Sequence, residues 1–211
     1  MKLYNFAFSP NSRKVRAVAY EIGLELEHVN LDVVRGDTRA PDFLAKNPNG
    51  KAPVLEDGDF VLWESNAIIA YLATQYGGRT QLCPPGARER AEVDRWLSWQ
   101  LAHLGPATRT VALERVVKKL RGLGEPDPKA IEAGVRDFAT FTAVLEKCLG
   151  EKEYLTGRLS IADFALASHY SLVDVCGLDM DPYPRGKAWL DRMLARDSMK
   201  RTLAEAKAAL A

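Results

Sequence analysis

Apolar positions along the chain fall into two regimes. Over residues 1–76, strand-like runs alternate with helix-like ones. Lys2–Phe6 reads as a short apolar strand. After Asn11-Ser12, the residues Val15, Val18, Ala19 and Ile22 recur at helical spacing. Gly23 stands where the residue beyond a helix end belongs, and Leu26–Leu31 alternates as a second strand. Two strands joined through a helix make a βαβ unit, which implies parallel pairing and a right-handed crossover. A short helix is expected over residues 38–46. Val54-Leu55 and Phe60-Val61-Leu62 flank Asp57-Gly58, a strong hairpin signal. Ser65 then opens a helix carrying Ile68, Ile69 and Leu72.

From Ala87 onward no strand pattern is found. Helical spacing predicts helices over about 87–121, 127–149, 160–175, 185–195 and 197–209, the first of them bent or interrupted at Gly105-Pro106. Between the regimes, Gly77-Gly78 and Cys83-Pro84-Pro85-Gly86 break the chain. The prediction is an α/β, thioredoxin-like N-terminal domain of order βαβαββα over residues 1–78, a linker over 79–86, and an all-α helical domain over 87–211.

Composition narrows the classes. A chain of 211 residues with 47% hydrophobic and 27% charged residues can build a real core. A formal charge of +1 gives no electrostatic reason to expect nucleic acid or an anionic membrane as partner. No apolar run approaches the length that crosses a bilayer, and the stretch at Met1–Phe6 is too short for a signal peptide. Cys83, Cys148 and Cys176 are odd in number, far apart and outside any CxxC spacing. That argues against a disulfide framework or a zinc site and for a reducing, cytoplasmic setting.

Several local patterns could carry chemistry. In Asn47-Pro48-Asn49-Gly50-Lys51-Ala52-Pro53-Val54 a proline precedes an apolar pair, and proline donates nothing to a ladder. The segment therefore reads as a free edge. With a cis Ala52-Pro53 bond, of the kind tight turns use, Val54 would offer its backbone to an extended, peptide-like ligand. Glu64-Ser65 combines a carboxylate that suits an ammonium with a helix-opening serine that suits a carboxylate. The pair also reads as an ordinary cap beside an exposed Glu. Ser9, Asn11 and Ser12 lie between the first strand and the first helix, where a turn and a helix cap account for them equally well. Ser160-Ile161-Ala162-Asp163 is a capping box, which makes Asp163 a folding residue.

Taken in order, Ser9-Pro10-Asn11-Ser12-Arg13-Lys14-Val15-Arg16, Asn47 to Leu55, Glu64-Ser65 and Leu159-Ser160-Ile161-Ala162-Asp163 resemble the soluble glutathione transferases of the serine type. The resemblance spans nearly the whole chain. It implies that glutathione is a cosubstrate, that no cofactor or metal is needed, and that the thiolate attacks a hydrophobic electrophile. An ordinary thiol has a pKa near ~8.5, and the thiolate is the nucleophile. A donated hydroxyl proton and a helix N-terminus both stabilise that anion. The family register places the activating hydroxyl at Ser9, ahead of Asn11 and then Ser12. Asn11 stands where the cysteine branch has Cys, which counts against thiol–disulfide exchange.

The resemblance further implies that Glu64 and Ser65 hold the γ-glutamyl head. Pro53 and Val54 would present backbone to the cysteinyl part, and Lys51 would reach the glycine carboxylate. Phe8, Leu104, Pro106 and residues 108–116 are candidates to line an apolar second site between the domains, with Arg109 beside them to assist an anionic intermediate. Trp96 and Trp99 read as core, and His103 as a structural or surface residue. A homodimer is also implied. Glutathione-dependent peroxide or disulfide reduction, and a noncatalytic ligand-binding module, are the alternative activities on this scaffold. The absence of an appended segment, with all the glutathione contacts intact in type, weighs against the module.

Overall fold

The computed structural model describes residues 1–33 and 35–209, apart from the side chain of Arg79; residues 210–211 of the predicted helical domain lie outside it. Two compact units are present. One comprises Met1–Pro84 together with the chain from Arg196 on, and the other Pro85–Ala195.

The first unit holds strands β1 (Lys2–Asn5), β2 (Glu27–Asn30), β3 (Val54–Asp57) and β4 (Phe60–Trp63) and helices α1 (Pro10–Glu21), α2 (Pro41–Lys46) and α3 (Ser65–Gln75). The sheet order is β2-β1-β3-β4, with β1 and β2 parallel and the other pairs antiparallel. This is the predicted βαβαββα order. Val15, Val18, Leu55, Ile68, Ile69 and Leu72 are all fully buried, so the helical periodicity read from the sequence does mark the core face. Gly58, at the first position of the two-residue β3–β4 loop, has φ +63°, where a II′ hairpin turn needs glycine.

Val54 does not lie at an edge. Tyr4 on β1 is opposite it on one side and Trp63 on β4 on the other, and it is fully buried. Proline removes a donor only at its own position, so ladder pairing resumes one residue later. The Ala52–Pro53 bond is cis.

The terminal helix α11 (Asp197–Ala208) packs on α1 and belongs to the first unit, not to the helical domain into which the sequence placed it. Its attachment is polar. Glu205 accepts from Arg16 at 2.6 Å and from the Tyr20 hydroxyl at 2.6 Å. Glu21 takes Arg196 and Ser198, and Glu25 takes Arg201 through two bonds. Neither sequence proximity nor apolar spacing encodes such pairs.

The second unit is helical throughout its regular structure. Residues 87–121 form one run: α4 (Ala87–Trp99), a π turn at Gln100–Leu104, α5 (Gly105–Ala112), a second π turn at Leu113–Val117, and α6 (Lys118–Arg121). The interruption expected at Gly105-Pro106 takes the form of the first π turn, which relieves the clash between a proline ring and the preceding turn. Against this run pack α7 (Pro128–Leu149), α8 (Ile161–Tyr170) and α9 (Val173–Cys176), and α10 (Pro184–Leu194) packs on α7 and α8. Helix α8 is buried along its whole length. Trp96 is buried and meets Trp99 edge to face at 5.3 Å, as core residues do.

Candidate active site

Strand register gathers the candidates. The carboxyl end of β1 adjoins the start of β3 through Tyr4 opposite Val54, and Val54 faces Trp63 at the end of β4. The segments that leave or enter at this end of the sheet are Phe6–Ser9, Lys51–Pro53 and Glu64-Ser65. Three stretches far apart in sequence therefore meet at one rim of one sheet.

Ser9 caps α1. Its backbone is extended (φ −69°, ψ 125°), and its Oγ accepts from the Ser12 N–H across a long 3.4 Å. Among the described residues no acceptor takes the Ser9 hydroxyl proton, and the side chain is half-buried. A weakly held, partly open hydroxyl at a helix N-terminus suits an anionic ligand. Ser12 is different: fully buried, it uses its Oγ to accept the Phe6 N–H at 3.2 Å and so pins the loop that carries Ser9. The place given to Ser12 as third candidate for sulfur contact does not fit that burial. Asn11 lies in the first turn of α1 and is half-buried.

Arg16, from the second turn of α1 and 1% exposed, donates to the Ala7 carbonyl at 2.7 Å in the same loop. Glu205 of α11 balances its charge. The Ser9 loop is thus held from below by Ser12 and Arg16, leaving its outer face to a ligand.

The Lys51 loop is built by Asn47. Its amide donates to the Lys51 carbonyl at 2.6 Å, its side-chain oxygen accepts from Asn49, and its carbonyl accepts from the Gly50 N–H. Gly50 has φ +61°, and a Cβ there would come within 2.9 Å of the Thr38 backbone carbonyl oxygen. Glycine is required on both counts. Lys51 is exposed at the tip, and Arg39 brings a second cation to the loop that the sequence reading passed over. Among the described residues, Ala52 enters neither ladder nor any of the turn bonds. The backbone available to an extended ligand is therefore that of Ala52, one residue before Pro53, and not that of Val54.

Glu64, not Ser65, occupies the cap position of α3, with φ +71° and ψ 105°. A non-glycine residue pays for that conformation, and such strain collects at ligand sites. Among the described residues the Glu64 side chain makes no cap bond, and Ser65, 5% exposed, opens the first turn of α3. Beneath that turn Lys14 donates to the Asn66 side-chain oxygen at 2.6 Å.

The residues proposed for a second substrate are distributed differently. Phe8 is half-buried in the first unit, edge to face with Phe6 at 5.6 Å. Leu104 is fully buried within the second unit and cannot line an open site, because the π turn directs it into the core. Pro106 and Arg109 are exposed on α5, whereas Thr108 and Val111 of the 108–116 stretch are fully buried.

Comparison with known proteins identifies the family. Family models for the glutathione S-transferase N-terminal domain and C-terminal domain match residues 1–74 and 128–192. Glutathione S-transferase hmp2 of Hypomyces subiculosus is 32% identical over 212 residues, covering 98% of this chain and 99% of that one. The chain belongs to the glutathione S-transferase family. The crystal structure of glutathione transferase F7 from Populus trichocarpa superposes on this transferase with a TM-score of 0.89 at 29% identity, covering 97% of this chain and 98% of that one. The transferase URE2P6 from Phanerochaete chrysosporium, solved with oxidized glutathione, superposes at 0.88 and 30% identity, covering 98% and 96%.

The Ser160–Asp163 pair of this transferase is structural, as the sequence suggested. The buried Asp163 carboxylate accepts from the Ser160 N–H and hydroxyl, the Leu155 N–H and the Trp189 indole, all at 2.9–3.0 Å. Burial raises its pKa, and these donors work against that rise.

Proposed function

We propose that the protein is a glutathione transferase in which Ser9 donates a hydrogen bond to the glutathione sulfur and α1 directs its N-terminus at the thiolate. The observation that carries this reading is the Ser9 hydroxyl, held only at 3.4 Å and with no acceptor for its proton among the described residues. The structural relative bound to oxidized glutathione supports the tripeptide as ligand. Glutathione would lie along the rim with its γ-glutamyl head at Glu64 and Ser65, its cysteinyl backbone against Ala52, and its glycine carboxylate near Lys51 and Arg39. No covalent bond forms to the protein. The thiolate adds to an electrophilic carbon of a hydrophobic substrate, and the leaving group departs with the electron pair. Glutathione is cosubstrate, with no further cofactor in the scheme.

Replacing Ser9 by Ala removes one charge-assisted hydrogen bond, worth about 1.4 kcal/mol or more. Turnover with an aryl halide should fall tenfold or more at neutral pH, while glutathione affinity stays within a few-fold. An unchanged rate would move the role to Asn11. Running cumene hydroperoxide beside the aryl halide separates attack on carbon from attack on oxygen.

A cytoplasmic setting suits both reduced glutathione and the free state of Cys83, Cys148 and Cys176. A homodimer is the assembly this reading includes. Edge strand β4 supports it, with Phe60, Val61 and Trp63 each more than a third exposed. Sedimentation at micromolar concentration should give twice the chain mass, and a single-chain mass would refute it.

A further inference from the structure

Helix α1 carries three basic residues in its middle, Arg13, Lys14 and Arg16, and all are under 5% exposed. Arg16 is accounted for by Glu205 and the Ala7 carbonyl. Lys14 is the less expected of the three. Its ammonium is fully buried in the core between α1 and α3 and donates to Asn66 Oδ1 at 2.6 Å. Asn66 is the second residue of α3, directly after Ser65 and two after the strained Glu64. A buried ammonium is costly, and an apolar side chain of similar length would fill the space without that cost. What the charge adds is position. It connects the helix that begins at Ser9 to the helix that begins at Ser65.

We propose that Lys14 is a positioning residue for glutathione: by holding Asn66 it fixes the first turn of α3, and its charge lies behind the Ser65 hydroxyl and N–H where the γ-glutamyl carboxylate binds. This rests on the placement of that carboxylate at Ser65 given above. The charge reinforces the positive end of the α3 dipole from the protein side, in a medium where charges act at longer reach than in water. Lys14 does not touch the ligand.

The proposal has a pH signature. Burial lowers the Lys14 pKa to about 7, with the Glu64 carboxylate pulling the other way. An arriving carboxylate favours the ammonium and raises that pKa in the complex. Between the two values binding takes up a proton, so affinity falls as pH rises. The thiolate fraction moves in the opposite direction with pH, so the two effects must be separated by using a ligand without a thiol.

The test is titration calorimetry of S-methylglutathione at pH 6, 7 and 8. For the wild-type protein, affinity should fall about three- to tenfold from pH 6 to pH 8, a slope of at most tenfold per unit. At pH 7.5, runs in buffers of different ionisation enthalpy should show proton uptake on binding. Lys14→Arg should keep the affinity and lose the pH dependence. Lys14→Met should bind about tenfold more weakly at pH 6 and show a flat profile. Wild-type binding that is flat with pH and without proton uptake overturns the proposal even if both variants fail to fold, and so does Lys14→Met tracking the wild-type profile. Ser65→Ala separates the two readings. Unchanged affinity in that variant means the carboxylate placement itself has failed. Weakened affinity, with Lys14 variants that behave as wild type, means only the role of Lys14 has failed.

Discussion

Helices α1 and α8 both begin after a serine, and the protein uses the two starts in opposite ways. At α8 the end is closed. Asp163 gathers four donors from three segments at 2.9–3.0 Å, so the capping carboxylate is fully engaged with the fold. At α1 the end is open. Ser9 accepts a single long bond at 3.4 Å, and the loop before it is held from the inside by Ser12 and Arg16. The first arrangement spends its hydrogen-bonding capacity on the fold, and the second keeps it for the ligand. Helix α3 extends the second pattern, with no cap bond from the Glu64 side chain among the described residues and an ammonium beneath its first turn.

The comparison can be tested where the difference should be largest. Asp163→Ala strips the partners from buried N–H groups at Leu155 and Ser160 and from the Trp189 indole. Stability to urea should fall by about 3–5 kcal/mol, while kcat/KM per folded molecule stays near the wild-type value. A loss below ~1 kcal/mol would mean that α8 is not closed in the sense argued. The smaller effect belongs to the open end. Ser9→Ala removes only a stretched cap, so stability should change by less than ~1 kcal/mol, although turnover drops. If Ser9→Ala proves as destabilising as Asp163→Ala, Ser9 is a folding residue and the contrast disappears.

What the sequence disclosed follows the same division. The Ser160-to-Asp163 spacing is local, so the capping box could be read from adjacent residues. The strands and most helices rest on apolar periodicity, and Ile68, Ile69 and Leu72 point inward as that periodicity requires. Non-local relations were not legible. Val54 looked free because the strand on its other side, β1, comes some fifty residues earlier in the chain. Lys14 and Arg16 look like solvated charges in the run Arg13 to Arg16, and only the burial of α1 between α3 and α11 shows otherwise. Sequence adjacency puts α11 in the helical unit, whereas the ion pairs of Arg196, Arg201 and Glu205 with Glu21, Glu25 and Arg16 attach it and its cap to the first. For Ser9 and Ser12, similar residues three positions apart, the deciding fact is which hydroxyl already serves the backbone of Phe6.

The most direct test of the open end at α1 is ultraviolet titration of the thiolate absorbance of glutathione bound to the wild-type protein and to Ser9→Ala. The wild type should ionise its bound thiol at least about one unit below the ~8.5 of an ordinary thiol, and the alanine variant should lose most of that shift. A bound thiol that ionises at the same pH in both proteins would contradict the account.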